Sequence, residues 1–250
     1  MNARGTITAA VLARDEEADI GPCLDALAWA DECLVVVDAA TRDRTREVAR
    51  RHGARVEDWT FRTFAAQRDR ALELARGDWV LFVDADERVR QPLRDEVLAA
   101  IARESGVVGY WIPRENVIAG RVLRGGGWFP DQQLRLLKRG RARFDPRYPV
   151  HEIPLLDGPT AQLMSPFLHF NFRSLRDVVR KQERYVTLDA EAWIQQHGRP
   201  RLRAVVGQPL RTFARRYVGL RGYRDGPVGL ALALITAWYA GKAVWRARRS

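Results

Sequence analysis

The sequence predicts an α/β protein built on a doubly wound, mainly parallel sheet. Three observations lead there. Three apolar runs of strand length and one further short strand segment recur between residues 6 and 84, with helical patterns between them. Two of the runs, CLVVVD at 33–38 and WVLFVD at 79–84, are continuous rather than alternating, which suits strands covered on both faces. The runs end on or beside acids, namely Asp15, Asp38 and the pair Asp84 and Asp86. Sheets of this kind bind their ligands at the carboxyl ends of the strands.

The elements follow in order. TITAAVLA, 6–13, is small and β-branched and reads as the first strand. ADIGPCLDALAWA carries Ile20, Leu24 and Leu27 at helical spacing. After the strand ending at Asp38, TRDRTREVARRHG reads as a helix stopped by Gly53. ARVED is a third short strand. FAAQRDRALELARG is a helix with Phe64, Ala71, Leu72 and Ala75 available for packing and Gly77 as its stop. The fourth strand then delivers Asp84 and Asp86. From about Ser174 the pattern is helical, with Val178, Tyr185, Leu188 and Trp193 as apolar positions of a helix ending at Gly198.

At 250 residues the chain can bury a substantial core, and its composition is globular. The N-terminus meets charge too early for a signal peptide, and two cysteines outside any metal-ligand spacing, Cys23 and Cys33, suit a reducing cytosol. The net charge of +11 is unevenly placed: residues 201–250 hold eleven Lys and Arg against one acid, Asp225, a net +10. The basicity therefore calls for a partner at the tail.

Two carboxylates spaced Asp-x-Asp can share one hard divalent cation, Mg²⁺ or Mn²⁺, that also binds a diphosphate. A solvated acidic turn is the competing reading, and the buried strand directly before the pair favours the metal. Asp131 follows Pro130 and reads as a turn residue or as a base; His151 reads as a structural histidine or as a ligand. His169, in FLHFNF, reads as a core or capping residue. Gly125-Gly126-Gly127 lacks the surroundings of a phosphate loop and is expected to let backbone approach a sugar closely, with Trp128 and Phe129 able to stack on its ring.

Five blocks, in order, resemble inverting GT-A glycosyltransferases of family two, and most nearly the subgroup of lipopolysaccharide-core β-glucosyltransferases. They are LARDEEADIGPCLDALAWADECLVVVDAATRDRT, FAAQRDRALELARGDWVLFVDADERV, GYWIPREN, GGWFPDQQLRLLKRG and PVHE. The resemblance implies a GT-A catalytic domain over 1–172, with 173–250 a basic, amphipathic helical extension. It implies nucleotide-sugar contacts from Arg14, Asp15, Glu16, Asp38, Arg68, Asp84, Trp128 and Arg135. Metal ligation falls to Asp84, Asp86 and His151, and the catalytic base to Asp131, with Glu152 as rival. The sequence departs from the family after Asp38, where Ala39-Ala40-Thr41-Arg42-Asp43 replaces a turn rich in Gly and Ser, and at Asp15, where Asn is common.

The implied reaction moves a hexose or heptose from a nucleotide-diphosphate sugar to a lipid-linked or lipopolysaccharide-core saccharide. A phosphatase using the Asp-x-Asp pair is the alternative, although Arg88 stands where that class carries Thr or Val. A sugar-nucleotide-binding module without activity is another. For the tail, the apolar run Val228–Gly241 is fourteen residues, short of the roughly 20 a spanning helix needs. A helix lying on an anionic membrane surface through residues 201–250 is expected instead, with Trp238, Tyr239 and Trp245 as interfacial aromatics. That places the protein at the cytoplasmic face of the cell membrane. Nucleic acid is not an expected partner, because a nucleic-acid arm rarely needs an apolar helix.

Overall fold

The computed structural model describes residues 5–103, 105–145 and 154–249. The chain groups into two compact units, one of residues 1–114 and 132–169 and one of 115–131 and 170–250.

The first unit opens with β1 (Ile7–Ala13), α1 (Ile20–Asp25), β2 (Glu32–Asp38), α2 (Thr45–Arg51), β3 (Arg55–Trp59), α3 (Phe64–Leu74) and β4 (Trp79–Asp84). These are the expected elements, with α1 shorter than its apolar pattern. The chain continues through β5 (Glu87–Arg88), α4 (Gln91–Ile101), β6 (Gly109–Ile118), β7 (Arg121–Val122), β8 (Asp131–Lys138), β9 (Ala142–Phe144), β10 (Pro154–Leu156), β11 (Thr160–Gln162) and β12 (Phe167–Phe172). The strands β6, β8 and β12 pass from one unit into the other, and β7 belongs to the second unit. Strand order is β3-β2-β1-β4-β8-β6-β12-β5, with β7 and β11 both pairing β6. The first four are mutually parallel, and β8 lies antiparallel to β4.

Alternation along the strands builds a core on each face of the sheet. Ile7, Val11, Val35, Val37, Leu81 and Val83 pack with Ile20 and Leu24 of α1 and Leu93 and Val97 of α4. Ala10, Leu34, Val36, Val80 and Phe82 pack on the other face with Ala65, Ala71 and Leu72 of α3. Each fully buried Val, Leu or Phe contributes about 1.5–3 kcal/mol, which explains why these strands read as continuous apolar runs. The register pairs Leu12 with Asp84 and Ala13 with Val37, so the carboxyl ends of β1, β2 and β4 lie level.

Gly77 has a reason other than helix stopping. The helix α3 ends at Leu74, and a Cβ on Gly77 would stand 2.6 Å from the backbone nitrogen of Thr8. Phe64, expected to pack, is 49% exposed.

The second unit is mainly helical: α5 (Leu175–His197), α6 (Leu202–Phe213), a π-helical turn over Ala214–Gly219, a 3₁₀ turn over Gly222–Asp225, and α7 (Gly226–Arg249). Ser174 and Asp177 form a reciprocal capping box at the start of α5. Val178, Val186 and Ala190 are its buried positions, whereas Tyr185 and Leu188, named among its apolar positions, are exposed. Ile118, Leu123, Val178 and Leu232 form this unit's apolar cluster. Along α6, Leu202, Val206 and Leu210 at i, i+4 and i+8 stay exposed.

The continuous helical stretch Gly222–Arg249 is long and apolar enough by length and composition to cross a membrane, which the fourteen-residue run alone did not suggest. Part of it is buried within the unit through Leu232, Ala233, Ala237, Ala243 and Val244. Trp238 and Trp245 are exposed, as expected of interfacial aromatics. Tyr239 departs from that expectation: it is buried and hydrogen-bonded to Glu183.

Candidate active site

The ends of β1 and β2, the loop after β1, the loop after β3 and the start of α3 line a cleft of about 360 Å³ with Leu12, Ala13, Arg14, Glu16, Asp38, Phe61, Phe64 and Gln67. Asp38 ends β2 and is buried. Its Oδ1 accepts from the Ala40 N–H at 3.0 Å; its Oδ2 accepts no hydrogen bond and lies 3.2 Å from Arg14 Nη1. The Arg14 charge offsets part of the cost of burying that oxygen without a hydrogen bond. Asp15 takes the left-handed conformation, φ 55°, which Asn and Asp tolerate best, and its Oδ1 accepts from the Arg42 N–H at 2.8 Å.

That bond helps hold the loop that lacks the usual glycine. Arg46 donates to the carbonyls of Thr41 and Asp38, and the Thr41 N–H donates to the Asp38 carbonyl. Asp43 accepts from the N–H groups of Glu17 and Thr45 at 2.9 Å. The turn keeps its shape through carboxylate and guanidinium contacts in place of glycine and hydroxyls.

At the end of β4, charges interlock. Arg135, buried on β8, donates from Nη1 and Nη2 to both oxygens of Asp84, at 3.0 and 2.7 Å. Arg114 on β6 lies 3.7 Å from Asp84 and 3.5 Å from Glu87. Glu87 is fully buried and accepts the Asp84 N–H at 2.9 Å. Burial alone would raise the Asp84 carboxyl, but Arg135 and then Arg68 hold it well below the usual carboxylate range. Burial and the Asp84 charge push Glu87 up. The Arg68 guanidinium sits over the rings of Phe82 and Phe144, 5.5 and 5.7 Å from their centroids.

Asp86 faces His169, whose Nε2 is 3.2 Å from Oδ2. His169 is thus a buried partner of the Asp-x-Asp pair rather than only a core residue. Glu16 is pushed up to about 7, first by burial and then by Asp86, Asp19, Asp43 and Asp84. Glu16 thus sits among four carboxylates whose charge a divalent cation would offset. Among the described residues no three His, Cys, Asp or Glu side chains form a ready metal cage. The donor chemistry nevertheless suits a hard cation. Asp86 offers carboxylate oxygens, and those of Asp84 are shared with Arg135 and face Arg114.

His151 and Glu152 lie outside the described residues. Asp131 opens β8 and is half-buried. Arg135, expected at the nucleotide, spends its guanidinium on Asp84. Trp128 lies in the second unit with the Arg216 guanidinium 5.6 Å from its ring. The glycine run has a different cause from the one expected: a Cβ on Gly125 would stand 2.3 Å from the Arg221 carbonyl, so the backbone that approaches is the chain's own. Sequence reasoning missed Glu87 and Arg114. Both were in view, Glu87 inside DADE and Arg114 inside GYWIPREN, but only pairing of their strands reveals their shared partner.

Residues 8–162 match the model of Glycosyl transferase family 2. The chain belongs to this family. A lipopolysaccharide core biosynthesis glycosyltransferase, LpsC of Rhizobium meliloti, is 28% identical over 92% of this chain and 90% of its own. Two solved structures share the fold of this transferase. S. aureus TarS 1-349 superposes with a TM-score of 0.51 at 14% identity, covering 96% of this chain and 91% of that one. The mannosyltransferase PcManGT of Pyrobaculum calidifontis, in complex with GDP-Man and Mn²⁺, superposes at 0.50 with 18% identity, covering 99% and 86%. Both place the transferase among GT-A folds.

Proposed function

We propose that the transferase moves a hexose or heptose, with inversion, from a nucleotide-diphosphate sugar to a lipid-linked or lipopolysaccharide-core saccharide. The observation that carries this is the cleft at the carboxyl ends of β1 and β2, where the buried Asp38 Oδ2 faces the exposed Arg14 guanidinium at 3.2 Å and accepts no hydrogen bond from the protein. A ribose hydroxyl or a base N–H of the nucleotide supplies one. Arg14 flanks it as a cation for the diphosphate, Glu16 lines the same wall, and Phe61 and Phe64 offer ring faces to the base. Asp15 acts by shaping the loop, and Arg135 and Arg68 by fixing Asp84 and keeping it ionised.

Asp84, Asp86 and His151 would hold Mg²⁺ or Mn²⁺, whose charge offsets that developing on the leaving diphosphate. His169 orients Asp86. Asp131, or Glu152, takes the proton from the acceptor hydroxyl as that oxygen attacks the anomeric carbon. Such base assistance is worth on the order of 10²–10⁴-fold in rate. Trp128 offers a face to a sugar ring. The exposed Leu202, Val206 and Leu210 stripe and the arginines of residues 201–249 support attachment to an anionic membrane surface at the cytoplasmic face.

The test is calorimetric titration with UDP, GDP, CDP and dTDP, with Mn²⁺ and with EDTA, on the native protein and on Asp38→Ala and Asp86→Ala. Binding of one nucleotide is expected, lost in Asp38→Ala, and dependent on metal only while Asp86 is present. No nucleotide bound by a folded protein would overturn the reading. Binding without sugar transfer to any lipopolysaccharide-core acceptor would leave an inactive module.

A further inference from the structure

The second unit concentrates positive charge where two distant segments interlace. The loop after β7 and the turn before α7 are joined by Asp225, which accepts from the N–H groups of Arg124 and Gly125 at 2.8 and 2.9 Å. The Gly126 N–H donates to the Leu220 carbonyl, and Arg216 Nη1 donates to the Gly126 carbonyl, both at 2.8 Å. The Arg121 guanidinium stands within 4 Å of where a Cβ on Gly226 would lie. Arg121 and Arg216 thereby reach this junction with their guanidinium groups, and Arg124, Arg221 and Arg224 branch from its backbone. Among the described residues none of the five pairs with a carboxylate, because the buried Asp225 is spent on backbone. Burial and Arg215 press the Arg216 guanidinium below its usual value.

Aromatic rings share this junction. Arg216 covers the half-buried Trp128. Tyr217 stacks on Phe213 with centroids 5.3 Å apart, and Tyr223, 51% exposed, meets Tyr217 edge-on at 6.4 Å. The backbone here is unusual twice over: the π-helical turn of Ala214–Gly219 and the left-handed Arg221, φ 56°. Such features persist where surrounding contacts hold them, and they cluster at functional sites.

Guanidinium groups bind carboxylates and phosphates through paired hydrogen bonds, and aromatic faces pack against the apolar face of a sugar ring. We propose that this junction recognises the acceptor, and that the acceptor is a saccharide carrying a carboxylate or phosphate group. This rests on the transferase reading and adds the chemical class of its second substrate. A phosphorylated lipid headgroup offers similar charge without the ring stacking.

The test measures binding of trigalacturonate, maltotriose, glucose 6-phosphate, inorganic phosphate and phosphatidylglycerol vesicles to the full chain. The variants are Arg124→Gln/Arg221→Asn/Arg224→Gln, with Asn chosen because it tolerates the left-handed backbone, and Tyr223→Ala. Thermal melts confirm that each variant is folded. Trigalacturonate is expected to bind at least about tenfold tighter than maltotriose, and the triple variant to lose that margin. Nucleotide affinity stays unchanged, and Tyr223→Ala weakens the sugars but not phosphate. Equal binding of the two trisaccharides, or an unaltered preference in the triple variant, would overturn the proposal. So would phosphate matching glucose 6-phosphate, or vesicle binding lost in the triple variant with no saccharide bound. Failure of the wild-type protein to bind any nucleotide would instead refute the transferase function, so the two failures are distinguishable.

Discussion

Arg135→Met tests whether the Asp84 clamp holds the end of β4 in place. The native pair joins a buried guanidinium to a carboxylate by two hydrogen bonds, and Met fills much of the same volume without charge. Removing one partner of a buried ion pair costs about 3–5 kcal/mol. The Asp84 side chain is 37% accessible, and Arg114 remains 3.7 Å away, so part of that loss is recovered by water and by the second cation. The expected loss is therefore about 2–3 kcal/mol, below the cost of breaking a fully buried pair and within the range for hydrogen bonds to charged groups. That corresponds to a fall in Tm of roughly 4–12 °C for a chain of this size. Urea denaturation in EDTA, followed by tryptophan fluorescence, measures it without interference from metal. A cycle with Asp84→Asn should return a coupling of about 1–2 kcal/mol. A loss below about 0.5 kcal/mol, or additivity within that margin, would refute the clamp as a stabilising contact.

Further outcomes follow from the same geometry. Gly77→Ala forces a Cβ to within 2.6 and 2.8 Å of backbone atoms of Thr8 and Ile7, and should cost about 1–3 kcal/mol by denaturation. Glu32 accepts from Thr8 Oγ1, the Arg76 N–H and Arg55, and although burial alone would raise its carboxyl, these bonds bring it below its usual 4.5. Its contribution is present above pH 4.5 and is lost as pH falls through the depressed folded value. Glu32→Gln should lower Tm at neutral pH and flatten the acid limb of a Tm–pH profile; parallel limbs would sink the assignment. Burial pushes both the Cys23 and Cys33 thiols up, so a thiol reagent at pH about 8 should label neither in the native protein and both in guanidinium.

Much of the first unit was legible because its physics is local and periodic. Continuous apolar runs mark strands covered twice, and an acid after such a run marks the sheet's carboxyl edge. Asp38 and Asp84 fell where the pattern put them. The second unit was less legible because its decisive contacts are between residues far apart. Nothing in Gly125-Gly126-Gly127 announces that Arg221 carbonyl oxygen is its neighbour. On α5 the apolar Tyr185 and Leu188 are exposed, and Val178, Val186 and the small Ala190 provide the buried face. His169 shares strand alternation with buried Phe167, so a core role was a sound inference. Its nearness to Asp86 depends on β12 pairing β5, with His169 opposite Glu87, which no periodicity encodes.

The Asp225 bridge sets a timetable for synthesis. Its carboxylate ties down N–H groups 100 and 101 residues earlier in the chain. A ribosome adding about 5–20 residues per second needs roughly 5–20 s to cover that gap, far longer than local helix or hairpin formation takes. During that interval the strands of the first unit have emerged and can pair. The glycine-rich loop after β7, by contrast, must wait without its anchor. A nascent chain stalled before residue 225 should therefore carry a formed sheet beside a protease-sensitive loop at 121–128, and releasing the stall should protect it.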